Sequence, residues 1–245
     1  MTMPSRRQFL EGALAGGMIA LTGATAAAQT RAARRSLAEA IDLGRRLRRG
    51  EITDTAWQDR VEATLASCDV TALGAAIGLD ALRSRARPVR RGASILRVPL
   101  DDELLGGIGR EVGSDVKVFF VEAGRTDPPH CHFNLVAAHI VLEGRFRVRH
   151  YDRVGEDDEG VALRATRDRV IGPGEVTSIS DHRENAHWHA AETRGVLLDV
   201  QQGRIDPGLP VRLRQMLDVE GARPLGDGSI VAPRLARATA LRRYG

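Results

Sequence analysis

Apolar residues recur with two different periods along this chain, and the change of period divides it. From Arg31 to about Arg90 the spacing is helical: Leu37, Ile41, Leu43 and Leu47 share a face, and Gly50 can end that helix. Thr53 or Asp54 can cap a second helix whose Trp57, Val61 and Leu65 fall at i, i+4 and i+8, and Asp69 or Thr71 starts a third through Leu82. These stripes read as core packing, with the helices covering the outside of a sheet. From about Ala93 the period shortens to two, in ASILRVPL, DVKVFFVEAG, the stretch Gly124 to Gly144, VLEGRFRVRHYD, VALRATRDRVIGPGEVTSIS, AHWHAAE and GVLLDVQQG. Short strands separated by Gly and Pro turns at this spacing predict an all-β sandwich or barrel. Beyond Gly203 only VRLRQMLDV has a pattern, and the rest of the tail carries none.

Composition changes this picture little. A hydrophobic share of 42% is ordinary for a domain with a real core, and the net charge of +4 is modest. Positive charge is almost all arginine, with Lys117 the only lysine, and no basic face interleaves with aromatics; nucleic acid is not an expected partner. Cys68 and Cys131 are the only cysteines and make no disulfide framework, so both are expected as packed thiols.

The first residues do change it. SRRQFLEGALAGGMIALTGATAAAQT has a charged start, a weakly apolar Gly/Ala run and a small-residue end, the layout of a cleavable export signal. Ser5-Arg6-Arg7-Gln8-Phe9-Leu10 resembles the twin-arginine signal, and Ala26-Ala27-Ala28 offers a cleavage site before Gln29. The run after Glu11 falls short of the roughly 20 strongly apolar residues a membrane span needs, so no stable anchor is expected. The expected organisation is a signal over residues 1–28, a helical segment over 29–90, a β-barrel over 91–205 and a C-terminal extension over 206–245. The expected location is the periplasm or the exterior.

The chemistry is concentrated in one segment, because all seven histidines lie between His130 and His189. Side chains at i and i+2 of a strand share a face, so His130 and His132 can grip one ion while Cys131 points away. His187 and His189 repeat the arrangement, and two strands can converge on one metal. Pro128 and Pro129 cannot join a ladder and are expected to fix the chain just before the first strand. His139 lies on the face of Ala137 and is a candidate pocket or substitute ligand. His189 is a candidate for the pocket lining. His150 and Tyr151 read as surface, and the arginines at 145, 147 and 149 as a solvated outer face.

Gly124, His130-Cys131-His132, Ala137 and Gly144 at these spacings resemble the first motif of the cupin superfamily, whose fold is a double-stranded β-helix or jelly roll. Where many cupins carry a glutamate ligand, this chain has Ala137. With three histidines and no glutamate it is similar to the thiol dioxygenases, and Asn185-Ala186-His187 followed by GVLLDV resembles the cysteamine and plant cysteine oxidase branch. That resemblance implies a mainly β cupin with an N-terminal helical segment, with His130, His132 and His187 holding Fe(2+). It implies O2 and a small thiol as reactants and a sulfinate as product. His182, in HREN, resembles instead the third ligand of the cysteine dioxygenase branch; His187 is preferred because it opens the next strand. The rival expectations are a cupin that binds a metal and a small ligand without turnover, and a cupin dioxygenase acting on a non-thiol substrate. Other divalent metals also suit three imidazoles.

Overall fold

The computed structural model describes residues 6–102 and 113–245, with side chains from residue 25 onward except at 212 and 213. Ser5, which opens the twin-arginine pattern, lies outside the described residues, as do the side chains of the apolar run up to residue 24. Helix α1 spans Arg6–Arg48, α2 Asp54–Ala66, α3 Val70–Ala76 and α4 Leu79–Arg85. Thr53 caps α2 by accepting from the Ala56 amide at 3.2 Å, and Asp69 caps α3 by accepting from the Ala72 amide at 2.7 Å. The single third helix expected from Asp69 to Leu82 is two helices. Gly78, at φ +67°, breaks the run and turns α4 away.

Thirteen strands follow among the described residues, and every pairing is antiparallel. Sheet I has the order β1 (Ser94–Arg97), β2 (Ser114–Val121), β9 (Gly195–Gly203), β4 (Leu135–Glu143), β7 (Val176–Ile179). Sheet II has the order β11 (Arg223–Pro224), β12 (Ile230–Ala232), β6 (Val161–Ile171), β5 (Phe146–Glu156), β8 (Ala186–Ala191), β3 (Thr126–Phe133), β10 (Arg212–Leu217), β13 (Arg234–Leu235). From β2 to β9 the chain crosses repeatedly between the sheets, so strands distant in sequence become neighbours. That interleaving makes a double-stranded β-helix, or jelly roll, with the histidine strands at its centre.

Alternation along the strands sorts the side chains into three environments. The outer face of sheet I carries Val116, Val118, Val136, Ala138, Ile140, Val196, Leu198 and Val200, which pack with Leu37, Ile41, Trp57, Val61 and Leu65 of the helices. Burying each such side chain contributes about 1.5–3 kcal/mol, which is what holds the helical layer against the sheet. The inner faces are apolar at one end, where Phe119, Val141, Phe146, Val148, Ile171 and Leu197 form a plug. Toward the other end the inner positions turn polar.

The tail expected as an extension is part of sheet II. Consecutive residues 230–235 pair with both edges of that sheet, β12 with β6 and β13 with β10, and lace it shut at one end. Inside the lacing lie Cys131, Tyr151, Val161, Leu163, Ala186, Leu217 and Ala232. Tyr151 is therefore buried at 8% exposure and not on the surface. Helix α5 (Arg237–Tyr244) packs over β3 and β10, with the Tyr244 hydroxyl donating to Asp218 at 2.6 Å.

Gly144 makes the β4–β5 turn that the sequence assigns to it. It sits at φ +80°, and a Cβ there would lie 2.4 Å from the Arg194 carbonyl oxygen. Gly144→Ala is expected to cost about 1–3 kcal/mol or more, measured as a lowered midpoint in thermal melts.

Candidate metal centre

The register of sheet II brings the histidines together. His130 of β3 lies opposite His187 of β8, which lies opposite His150 of β5, and residues directly opposite in an antiparallel sheet share a face. His132 and His189, two residues along their strands, fall on that same inner face. His139 projects toward them from β4 across the barrel, so six of the seven histidines are in ring contact.

Three of the six converge most closely. His187 Nε2 is 2.9 Å from His130 Nε2 and 3.2 Å from His132 Nε2, all buried. A cation about 2.1 Å from each nitrogen with bond angles near 90° separates its ligand atoms by about 3.0 Å, and the separations from His187 to His130 and to His132 both match that spacing. His130 Nδ1 lies 2.7 Å from the Pro128 carbonyl. A carbonyl only accepts, so Nδ1 carries the proton and Nε2 presents its lone pair to the centre. Pro128 and Pro129 do more than precede the strand. They lie within β3, where the register with β8 slips between Asp127 and His130, and a bulge is where a strand tolerates prolines.

His182 stands apart. Its side chain is 78% exposed on the loop before β8, where Nδ1 meets Asp54 Oδ2 at 2.6 Å, and that carboxylate holds its pKa above the usual value. Asn185, of the N-x-H step, is a loop anchor. Its amide donates to the Ser180 carbonyl and to Asp181, fixing where β8 begins.

His150 is fully buried, contrary to the surface reading. Its Nδ1 is 2.8 Å from Glu184 Oε2, and Arg167 holds the other carboxylate oxygen at 3.2 Å. The signal was present in Phe146, Val148 and His150, which alternate with the three arginines. Those arginines do face outward, Arg147 and Arg149 toward Asp168 and Arg145 toward Glu192.

A cavity of about 570 Å³ opens beside the triad, lined also by Ala137, His139, Lys117, Asp199 and Arg214. Three of these were not singled out from sequence. Lys117 and Asp199 are inward positions of β2 and β9, 4.0 Å apart, and Asp199 Oδ1 is 3.6 Å from His139 Nε2. Burial pushes the Asp199 carboxyl up to about 7. Arg214 comes from the laced tail and donates to Asp127 at 2.6 Å. Only the inward period of GVLLDVQQG and of DVKVFFV pointed to the first two.

His130, His139, His187 and His189 all have pKa values held well below 6.5, first by burial and then by neighbouring positive groups. Neutral imidazole is the ligand form, so the centre is ready for a cation at neutral pH. Unfolding exposes these rings, and below pH 6.5 the unfolded chain binds protons that the folded one does not. Stability without metal is therefore present above pH 6.5 and lost as pH falls from there, by up to roughly 1.4 kcal/mol per pH unit for each histidine. Asp199, with its raised pKa, acts oppositely between 3.8 and about 7 and cancels one of these protons. Urea melts of metal-free protein between pH 5 and 8 should yield a net uptake of several protons on unfolding below pH 6.5. A flat profile overturns this.

No family model matches the chain, and no curated protein matches it. Among solved structures, an 11S globulin from Wrightia tinctoria is similar at 16% identity and TM-score 0.36, covering 49% of this chain and 27% of the globulin. An RmlC-like cupin from Shewanella frigidimarina is similar at 15% identity and TM-score 0.34, over 51% of this chain and 87% of that one. Oxalate oxidase is similar at 22% identity and TM-score 0.35, over 51% and 58%. The chain thus spans about a quarter of the globulin's length, and each likeness covers about half of this chain.

Proposed function

We propose that this chain is an exported, metal-dependent cupin oxygenase that adds both atoms of O2 to the sulfur of a small thiol, giving a sulfinate. The observation that carries the reading is the triad of buried imidazoles on the wall of a cavity, with His187 Nε2 2.9 Å and 3.2 Å from the other two, and Ala137 at the position where many cupins hold a carboxylate ligand. His130, His132 and His187 would hold iron(II). Bound there, iron(II) would supply the one-electron chemistry through which dioxygen reacts with sulfur.

The protein's own contribution is charge and proton placement. With three neutral ligands the centre keeps a positive charge that favours a thiolate over a neutral alcohol. Arg214 and Lys117 on the cavity wall add to that preference. Asp199, with its pKa near neutrality, is suited to accept the thiol proton as substrate enters.

The test is oxygen uptake by iron-loaded protein with a panel of small thiols, with mass spectrometry for a product two oxygen atoms heavier. No uptake with any thiol sinks the reading.

Export rests on the twin-arginine-like start. Replacing Arg6 and Arg7 by lysine is expected to block it, and the exported protein is expected to begin near Gln29 by intact mass. Helix α1 continues through that point; among the described side chains, residues 25–32 lie at its surface and Ala33 is the first buried in the core.

A further inference from the structure

We infer that the histidine cluster is a two-cation centre, with a second position formed by His139, His189 and the Nδ1 edge of His187. The inference goes beyond the thiol reading and shares only His187 with it.

The ring geometry carries it. The first triad has ring centroids 4.4, 4.8 and 5.2 Å apart. His139, His187 and His189 have centroids 4.6, 4.9 and 5.0 Å apart. An ion about 2.1 Å from an imidazole nitrogen lies about 3.2 Å from the ring centre, so bond angles of 90–110° set the rings about 4.5–5.2 Å apart. All three separations of the second triad fall in that window, and the first triad falls in it at two, with His130–His187 at 4.4 Å just short of its lower edge. His150 does not, at 5.9 and 6.0 Å from His187 and His189, and its Nδ1 already faces Glu184.

The polar atoms point the same way. His139 Nδ1, His187 Nδ1 and His189 Nε2 are buried, and none has a hydrogen-bond partner. The three residues are 5%, 2% and 2% exposed, and one ring nitrogen from each lies within 4.8 Å of the others. Three unpaired buried ring nitrogens on three rings in mutual contact are costly unless something satisfies them. Imidazole suits zinc and copper(II), so a borderline divalent ion is the occupant. With Nε2 of His187 turned to the first position, its Nδ1 carries the ring proton. Filling the second position displaces that proton to solvent and leaves His187 as an imidazolate shared by two ions. Asp199, beside His139, offsets part of the added charge.

Metal-free protein titrated with zinc(II) or copper(II) at neutral pH, freed of excess metal and analysed for content, tests the inference. Two ions per chain are expected in the parent. One is expected in His139→Gln/His189→Gln, and one in His130→Ala/His132→Ala. Two copper(II) ions joined through one ring couple magnetically, so the paramagnetic resonance intensity of the doubly loaded parent should fall well below that of two isolated coppers. A parent that binds one ion, or two with full signal intensity, overturns the inference, and the gap then holds a water. The parent's stoichiometry and spectrum decide even if a variant misfolds. Two coupled ions without oxygen uptake would sink the thiol reading alone; oxygen uptake with a single ion would sink this one alone.

Discussion

His187→Ala is expected to leave the protein unable to retain metal, while His182→Ala is expected to load as fully as the parent. Both histidines are plausible third ligands from sequence, and they lie in opposite environments. His187 is buried at the crossing of β3, β8 and β5, with Nε2 within 3.2 Å of two other imidazole nitrogens. Removing it takes a ligand from both triads, and loss of even a supporting contact to a ligand weakens metal binding by about 10–100-fold, so affinity should fall by more than about 100-fold. His182 points into solvent and ties the loop before β8 to Asp54 of α2. Breaking that exposed pair should cost at most about 1 kcal/mol of stability. Metal content of the purified variants decides the matter, with circular dichroism to establish that each is folded. Loss of metal in His182→Ala with retention in His187→Ala would reverse the ligand assignment.

Ala137→Glu is expected to keep or tighten metal binding and to abolish thiol-dependent oxygen uptake. Ala137 is 2% exposed on the inner face of β4, packed with Leu135 and Ile179, and lines the cavity beside the triad. A carboxylate buried there is costly unless it reaches a cation, so it would be drawn to the metal. It would then lower the charge of the centre and occupy a position the thiolate needs. Oxygen uptake should drop to the rate without protein, while metal content stays at or above the parental level. If the variant is folded, loaded and as active as the parent, the open position beside three neutral ligands is not what selects thiols.

The histidine pair on β3, the inward face of Ala137 and His139, and the outward run of arginines were all legible in the sequence. Strand alternation depends only on local geometry, and one inner face requires it to be kept. The preference for His187 over His182 was legible in the strand that His187 opens, but the pairing that holds His182 away was not, because it depends on where a loop meets α2 more than a hundred residues earlier in the chain. The roles of Lys117, Asp199 and Arg214 were hidden for a related reason. Each is an ordinary charged residue until the sheets close and turn it toward the cavity. The tail was unreadable because β11, β12 and β13 are two or three residues long. Strands so short are set by the edges they pair with and leave almost no period of their own.

Cys131 stands between two histidines of the candidate centre, yet its side chain lies on the opposite face of β3 at 2% exposure, among Tyr151, Val161, Leu163 and Ala186. For a protein proposed to bring thiols and dioxygen together, that placement amounts to insulation. A mixed disulfide with a substrate needs a sulfur that a second sulfur can approach from behind, and the apolar lacing of sheet II denies that approach. On the proposed function, the chain would carry a cysteine within one residue of its metal centre through many turnovers without wearing it out. Two of the residues that close over it, Leu217 and Ala232, belong to the tail, far from the histidines in sequence.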